Sequence, residues 1–150
     1  MDPSVILRLC ILIILLALSA FFSSSETALT TVNVHTIRAL VEDGNRQAKR
    51  VLQLIENPAA MLSSILIGNN LVNISATSLA TTLAIDVFGS AGAGIATGVL
   101  TILVLIFGEI TPKTYATIKN TNLALRFGPV IYYAVSYTHL RAHETRRHLV

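Results

Sequence analysis

Three short polar clusters interrupt an otherwise apolar sequence, and what they offer chemically is oxygen. They are Phe21-Phe22-Ser23-Ser24-Ser25-Glu26-Thr27-Ala28, Gly68-Asn69-Asn70-Leu71-Val72-Asn73 and Phe107-Gly108-Glu109-Ile110-Thr111-Pro112-Lys113. Asn69 and Asn73 are four residues apart, so on a helix they share a face, while Asn70 is turned about 100° from Asn69. Two stacked carboxamides present two hard oxygens to one point. Taken alone, the pair is better explained by hydrogen bonding between helices, the usual work of Asn in a membrane. Glu109 shifts the balance, because a carboxylate in a spanning helix is costly and normally faces a partner or a cavity. Its alternative is an i,i+4 pair with Lys113 at the membrane edge. Pro112 has no N–H, so the carbonyl of Gly108, four residues earlier, loses its helical partner. Gly108 has no side chain to block access to that oxygen. Hydroxyl, carboxamide, carbonyl and one carboxylate suit hard cations such as Mg²⁺, Ca²⁺ or Na⁺, not zinc or copper. A single carboxylate under-neutralises a divalent ion, so the expected site is weak and exchangeable, as transport requires.

The elements that must position these groups are membrane helices. The 150 residues are 53% hydrophobic and 13% charged, against about 25% charged in a soluble domain, which makes lipid the expected solvent. Val5 to Phe22 is long enough to span, with Arg8 near its end and able to snorkel. A secretory signal peptide is the rival reading of this run, with a weak n-region because Asp2 offsets Arg8. Ala59 to Ala84 is a second span with a polar face, entered through Pro58. Asp86 to Gly94 reads as a short turn, and a third span runs from about Ala93 to Thr111, ending at Pro112. Gly94 and Gly98 form a GxxxG that allows close helix packing, although accidental spacing explains it equally well.

Between the first two spans, Val34, Ile37, Leu40 and Val41 follow a helical period, as does Ala48 to Ile55, with Asp43-Gly44-Asn45 as the turn. This predicts a helical hairpin on the membrane surface; an ordinary solvated helix pair fits the periodicity as well. Arg38, Arg46, Lys49 and Arg50 lie in this loop, and Lys113, Lys119 and Arg126 follow the third span. Positive-inside logic then puts the N-terminus outside and both basic segments in the cytoplasm. The expected fold is all-α and integral to the membrane, with about three transmembrane helices and a cytoplasmic juxtamembrane hairpin. Asn122 to Val135 is a further apolar stretch, interrupted by Gly128-Pro129.

The patterns Phe-Ser-x-x-Glu-x-Ala, Gly-Asn-x-Leu-Val-Asn and Phe-Gly-Glu-Ile-x-Pro-Lys resemble, in order and separation, the three signature segments of the CorC/CNNM family of magnesium transporters. The resemblance covers residues 5 to about 135. It implies a homodimer in the cell membrane with three spans per subunit and Mg²⁺ export coupled to Na⁺ entry. It also implies an ion site built from Ser23, Asn69, Asn73, Glu109 and the Gly108 carbonyl, with Ser24 and Ser25 as neighbouring alternatives to Ser23. Members usually continue into a paired CBS module that binds adenine nucleotide, and nothing of that module is present here.

At about Ser136 the composition changes abruptly. Three of the four histidines, His139, His143 and His148, lie beyond it. Residues 136–150 resemble translated sequencing-adapter read-through, so they are expected to carry no function, with 1–135 as the transmembrane domain and the gene continuing past it. No enzyme is expected: there is no H-E-x-x-H, and the apolar runs that carry the serines contain no histidine to act as their base. The partners expected are lipid and a second copy, not nucleic acid. The alternative function is a non-transporting membrane scaffold or sensor that dimerises through the same helices.

Overall fold

The computed structural model describes residues 3–149, with side chains described for 3–137. The chain forms α1 (Pro3–Thr31), α2 (Val34–Glu42), α3 (Arg46–Glu56), α4 (Pro58–Leu105), a π-helical turn (Ile106–Ile110), α5 (Thr111–Ile118) and α6 (Asn120–Leu149). No strand occurs among the described residues. Two helical stretches, Pro3–Thr31 and Pro58–Ile118, are long and apolar enough to cross a membrane. Only 11% and 6% of their most apolar windows are buried, which is unlike the core helix of a water-soluble fold. Ile14, Leu66, Leu71, Ile95 and Ile102 stand exposed on them, a surface suited to lipid contact. The first helix outruns its expected end at Phe22 by more than two turns, so the first polar cluster lies within a helix.

The chain divides into two compact units. The first comprises residues 1–23 and 68–114. In a straight helix Asn73 and Glu109 would stand about 54 Å apart at 1.5 Å per residue. Instead Asn73 Nδ2 donates to Glu109 Oε1 at 3.1 Å, so the chain doubles back between them. The reversal falls at Gly89, where φ is 70° and ψ is 178°, a region open essentially to glycine alone. The expected turn over Asp86 to Gly94 thus contracts to one residue, with helix on both sides. Leu12 of α1 packs on Ala76, Ala80 and Leu83 of α4, with Leu9 and Leu100 against them. Ala76, Ala80 and Leu83 recur at helical spacing, and the two alanines let the helices approach closely. Arg8 pairs with Asp86, which sets the start of α1 beside the reversal at Gly89.

The second unit comprises residues 24–67 and 115–150. Its α2–α3 hairpin follows the expected boundaries, and the reason is local. Asn33 caps α2 by accepting from the His35 N–H at 2.9 Å, and Asn45 caps α3 by accepting from the Ala48 N–H at 3.0 Å. Gly44 makes the turn with φ 89°. Helix α3 buries Ala48, Val51 and Leu54 on one stripe and packs on α6. The expected interruption at Gly128-Pro129 does not occur: α6 runs on through Pro129. Gly128 serves packing instead, since a Cβ there would stand 2.5 Å from Val51 Cγ2. Arg50 lies over the Tyr133 ring, 4.8 Å from its centre. Helix α6 also continues past Ser136 to Leu149. The side chains of His139, His143, Glu144 and His148, and the contacts expected or not expected of the tail, lie outside the described residues.

Candidate functional site

All five residues expected to bind a cation, Ser23, Asn69, Asn73, Gly108 and Glu109, belong to the first unit. Helix α1 and the arm of α4 before Gly89 run antiparallel there. Ser19 Oγ donates to Asn73 Oδ1 at 2.8 Å. Toward the C-terminal side of α1, a Cβ on Gly68 would meet the Phe22 ring at 2.8 Å, so only glycine lets the backbone pass that ring undisturbed. This register sets Ser23, one turn beyond Ser19, level with Asn69, one turn before Asn73. Ser23 and Asn69 are buried, with relative exposures of 0% and 8%. Ser23 Oγ and Asn69 Oδ1 have no hydrogen-bond partner among the protein atoms. Buried polar atoms are almost always paired, so two orphaned oxygens at one level of a helix pair fit a ligand-binding role.

The third cluster arrives on the π turn. Its backbone widens by one residue, with the Thr111 N–H bonded to the Ile106 carbonyl. Such turns recur at functional sites because they re-aim side chains without ending the helix. Here the turn holds Gly108, which is buried, and Glu109, which is half-buried. The Gly108 carbonyl, denied an i+4 donor by Pro112, lies 3.4 Å from the Ser19 hydroxyl. A Cβ on Gly108 would stand 3.2 Å from that same hydroxyl. Asn73 therefore sits between Ser19 and Glu109, with the Gly108 carbonyl beside it.

The structure thus brings together Asn73, Glu109 and Gly108 and sets Ser23 and Asn69 one turn along. Asn70 is exposed, consistent with its 100° offset. Ser23, Ser24 and Ser25 are all buried, but only Ser23 is one turn from Ser19 on its face; Ser25 is turned about 200° from Ser23. Ser19, fully buried, is the residue that the sequence alone did not reveal. The one signal that could have found it is its position four residues before Ser23. Among the described residues no three His, Cys, Asp or Glu side chains cluster, so the donor set is neutral oxygen with one carboxylate.

A family model for the cyclin M transmembrane N-terminal domain matches residues 10–138, which include all three polar clusters. A UPF0053 protein of Haemophilus influenzae is 53% identical over 114 residues, 76% of this chain and 27% of its own length. The UPF0053 inner membrane protein YfjD of Escherichia coli is 49% identical over 107 residues, 71% of this chain and 25% of that protein. A polyamine export protein of Escherichia coli is 39% identical over 71 residues, 47% of this chain and 15% of that protein. The chain spans about a quarter of the length of the first two relatives.

Proposed function

This chain belongs to the cyclin M transmembrane family, and from that premise we propose that it forms the ion pathway of a divalent-cation transporter. Its cargo in this reading is Mg²⁺, exported against Na⁺ entry. The observation that carries the reading is the junction of Asn73, Glu109 and the Gly108 carbonyl on a π turn within a helical stretch long and apolar enough to cross a membrane. Ser23 and Asn69 add two buried oxygens without protein partners. Mg²⁺ sheds water reluctantly and is usually held by one or two carboxylates. One carboxylate with neutral oxygens therefore matches an ion that keeps part of its hydration and leaves again.

The membrane arrangement proposed with it has three spans, α1 and the two arms of α4 on either side of Gly89. Each arm, with its continuation to Ile118 in the second case, exceeds the roughly 20 residues that a bilayer core requires. The N-terminus and Gly89 lie outside; the α2–α3 hairpin, with Arg38, Arg46, Lys49 and Arg50, lies in the cytoplasm. A homodimer in the cell membrane is the proposed assembly, and no enzymatic step is assigned. Residues 136–150 are proposed to be dispensable.

A second reading follows from the export protein among the relatives, whose name gives polyamine as its cargo. An organic polycation would also be drawn to Glu109 and its neighbouring oxygens. The test is flux into liposomes reconstituted with the full chain, with Mg²⁺ and spermidine offered separately. Mg²⁺ movement that needs a Na⁺ gradient supports the proposal. Spermidine movement without Mg²⁺ movement favours the second reading. A stable dimer that moves neither leaves the scaffold.

A further inference from the structure

Asn73 is held at both ends of its amide. Its Nδ2 donates to Glu109 Oε1 at 3.1 Å, and its Oδ1 accepts from Ser19 Oγ at 2.8 Å. The Glu109 oxygen, accepting here, dictates this order. The amide nitrogen must face Glu109, the carbonyl must face Ser19, and the hydroxyl must donate. In that orientation Asn73 and Glu109 do not turn oxygens to one point. A half-turn about the terminal torsion of Asn73, which is broad and roughly two-fold, carries Oδ1 to the Glu109 side and Nδ2 to Ser19. Ser19 can follow, because a hydroxyl is both donor and acceptor. Once it accepts from Nδ2, its own hydrogen is released toward the Gly108 carbonyl, 3.4 Å away. Ser19 has no exposed surface, so bulk water cannot take over either role. Glycine at 108 keeps this space open, since a Cβ would crowd the hydroxyl at 3.2 Å.

Resting on the cation-transport reading above, we infer that Ser19 is a positioning residue whose hydroxyl lets the Asn73 amide turn between a carboxylate-bound and a cation-facing orientation. It sets cation affinity through Asn73 and is not itself a ligand.

The test uses the full chain in detergent and measures Mg²⁺ binding for wild type, Ser19→Ala, Asn73→Ala and the double variant. Ser19→Ala costs the carboxylate-bound orientation one hydrogen bond, that to Asn73 Oδ1, but the cation-facing orientation two, that from Nδ2 and that to the Gly108 carbonyl, so affinity should fall about tenfold. In the Asn73→Ala background the same substitution should change affinity less than about twofold, because its route is gone. Ser19→Thr keeps the hydroxyl and should bind within about threefold of wild type. A second measurement follows the Asn73 side-chain amide by NMR. Its resonance should move on Mg²⁺ addition in wild type and remain still in Ser19→Ala. Wild-type affinity in Ser19→Ala, an equal loss in both backgrounds, or an Asn73 signal that moves without Ser19 would each overturn the inference. A wild type that binds no Mg²⁺ at all overturns the cation reading first and takes this inference with it.

Discussion

Glu109 is the one carboxylate in the hydrogen-bonded group of Ser19, Asn73 and Gly108, and its charge is the feature that a cation would feel most. Glu109→Gln keeps the size and one oxygen that can accept from Asn73, so the thermal midpoint should stay within a few degrees of wild type. It removes the formal charge, and a desolvated divalent ion then loses several kcal/mol of attraction even at a high effective dielectric. Mg²⁺ flux in liposomes should therefore vanish. Asn73→Ala should slow flux less, because a water can stand in for one neutral ligand. Flux at the wild-type rate in Glu109→Gln would make the carboxylate structural and favour the alternative of an i,i+4 pair with Lys113. Asn69, Asn73 and Glu109 were legible in the sequence because each is costly in an apolar run, and a costly residue asks for a reason. Ser19 was not. A serine on a membrane helix can satisfy its hydroxyl on its own backbone, so its presence among Leu18 and Ala20 raises no question until a second helix is laid against it.

The elements depend on two glycines for opposite reasons, and each makes a separate prediction. Gly89 has open space around it but a backbone that side chains resist, with φ at 70° and ψ at 178°. Gly89→Ala should lower stability by about 1–3 kcal/mol, read as a shift in the unfolding midpoint. Gly94→Ala meets nothing within 4 Å and sits in ordinary helix, so it should be neutral or stabilising by up to about 1 kcal/mol. Gly128 has helical backbone and no space, with Val51 Cγ2 only 2.5 Å from where an alanine methyl would stand. Overpacking costs about 1–3 kcal/mol and helix propensity returns up to about 1, so Gly128→Ala should destabilise on balance. Val51→Ala should cancel part of that loss, and the pair should be less unstable than the sum of its singles. The α2–α3 hairpin was legible because Asn33, Asn45 and Gly44 encode caps and a turn within a few residues. The π turn was not: Pro112 announces that a carbonyl is released, but where the backbone takes up the slack depends on what α1 presents to it.

At the scale of the whole molecule, the two long apolar stretches and the reversal at Gly89 make the membrane arrangement testable by labelling. With Cys10, which is free and exposed, replaced by serine, a cysteine at Ser90 should react with an impermeant maleimide added to intact cells. A cysteine at Asp43 should react only after the membrane is opened. Equal reactivity from outside would refute the three-span arrangement. The π turn at Ile106–Ile110 has a consequence for how this chain tolerates lost residues. A helix widened by one residue is a helix with a one-residue insertion, and such an insertion can be undone. Phe107 lies in it with 61% of its surface exposed, so its loss removes little packing. A Phe107 deletion should let the segment close as regular α-helix while α5 keeps its phase, and the shortened protein should melt higher than its parent. Gly108 and Glu109 would then be swung away from Asn73, and Mg²⁺ binding should disappear. Thermal resilience and activity would part company over a single codon.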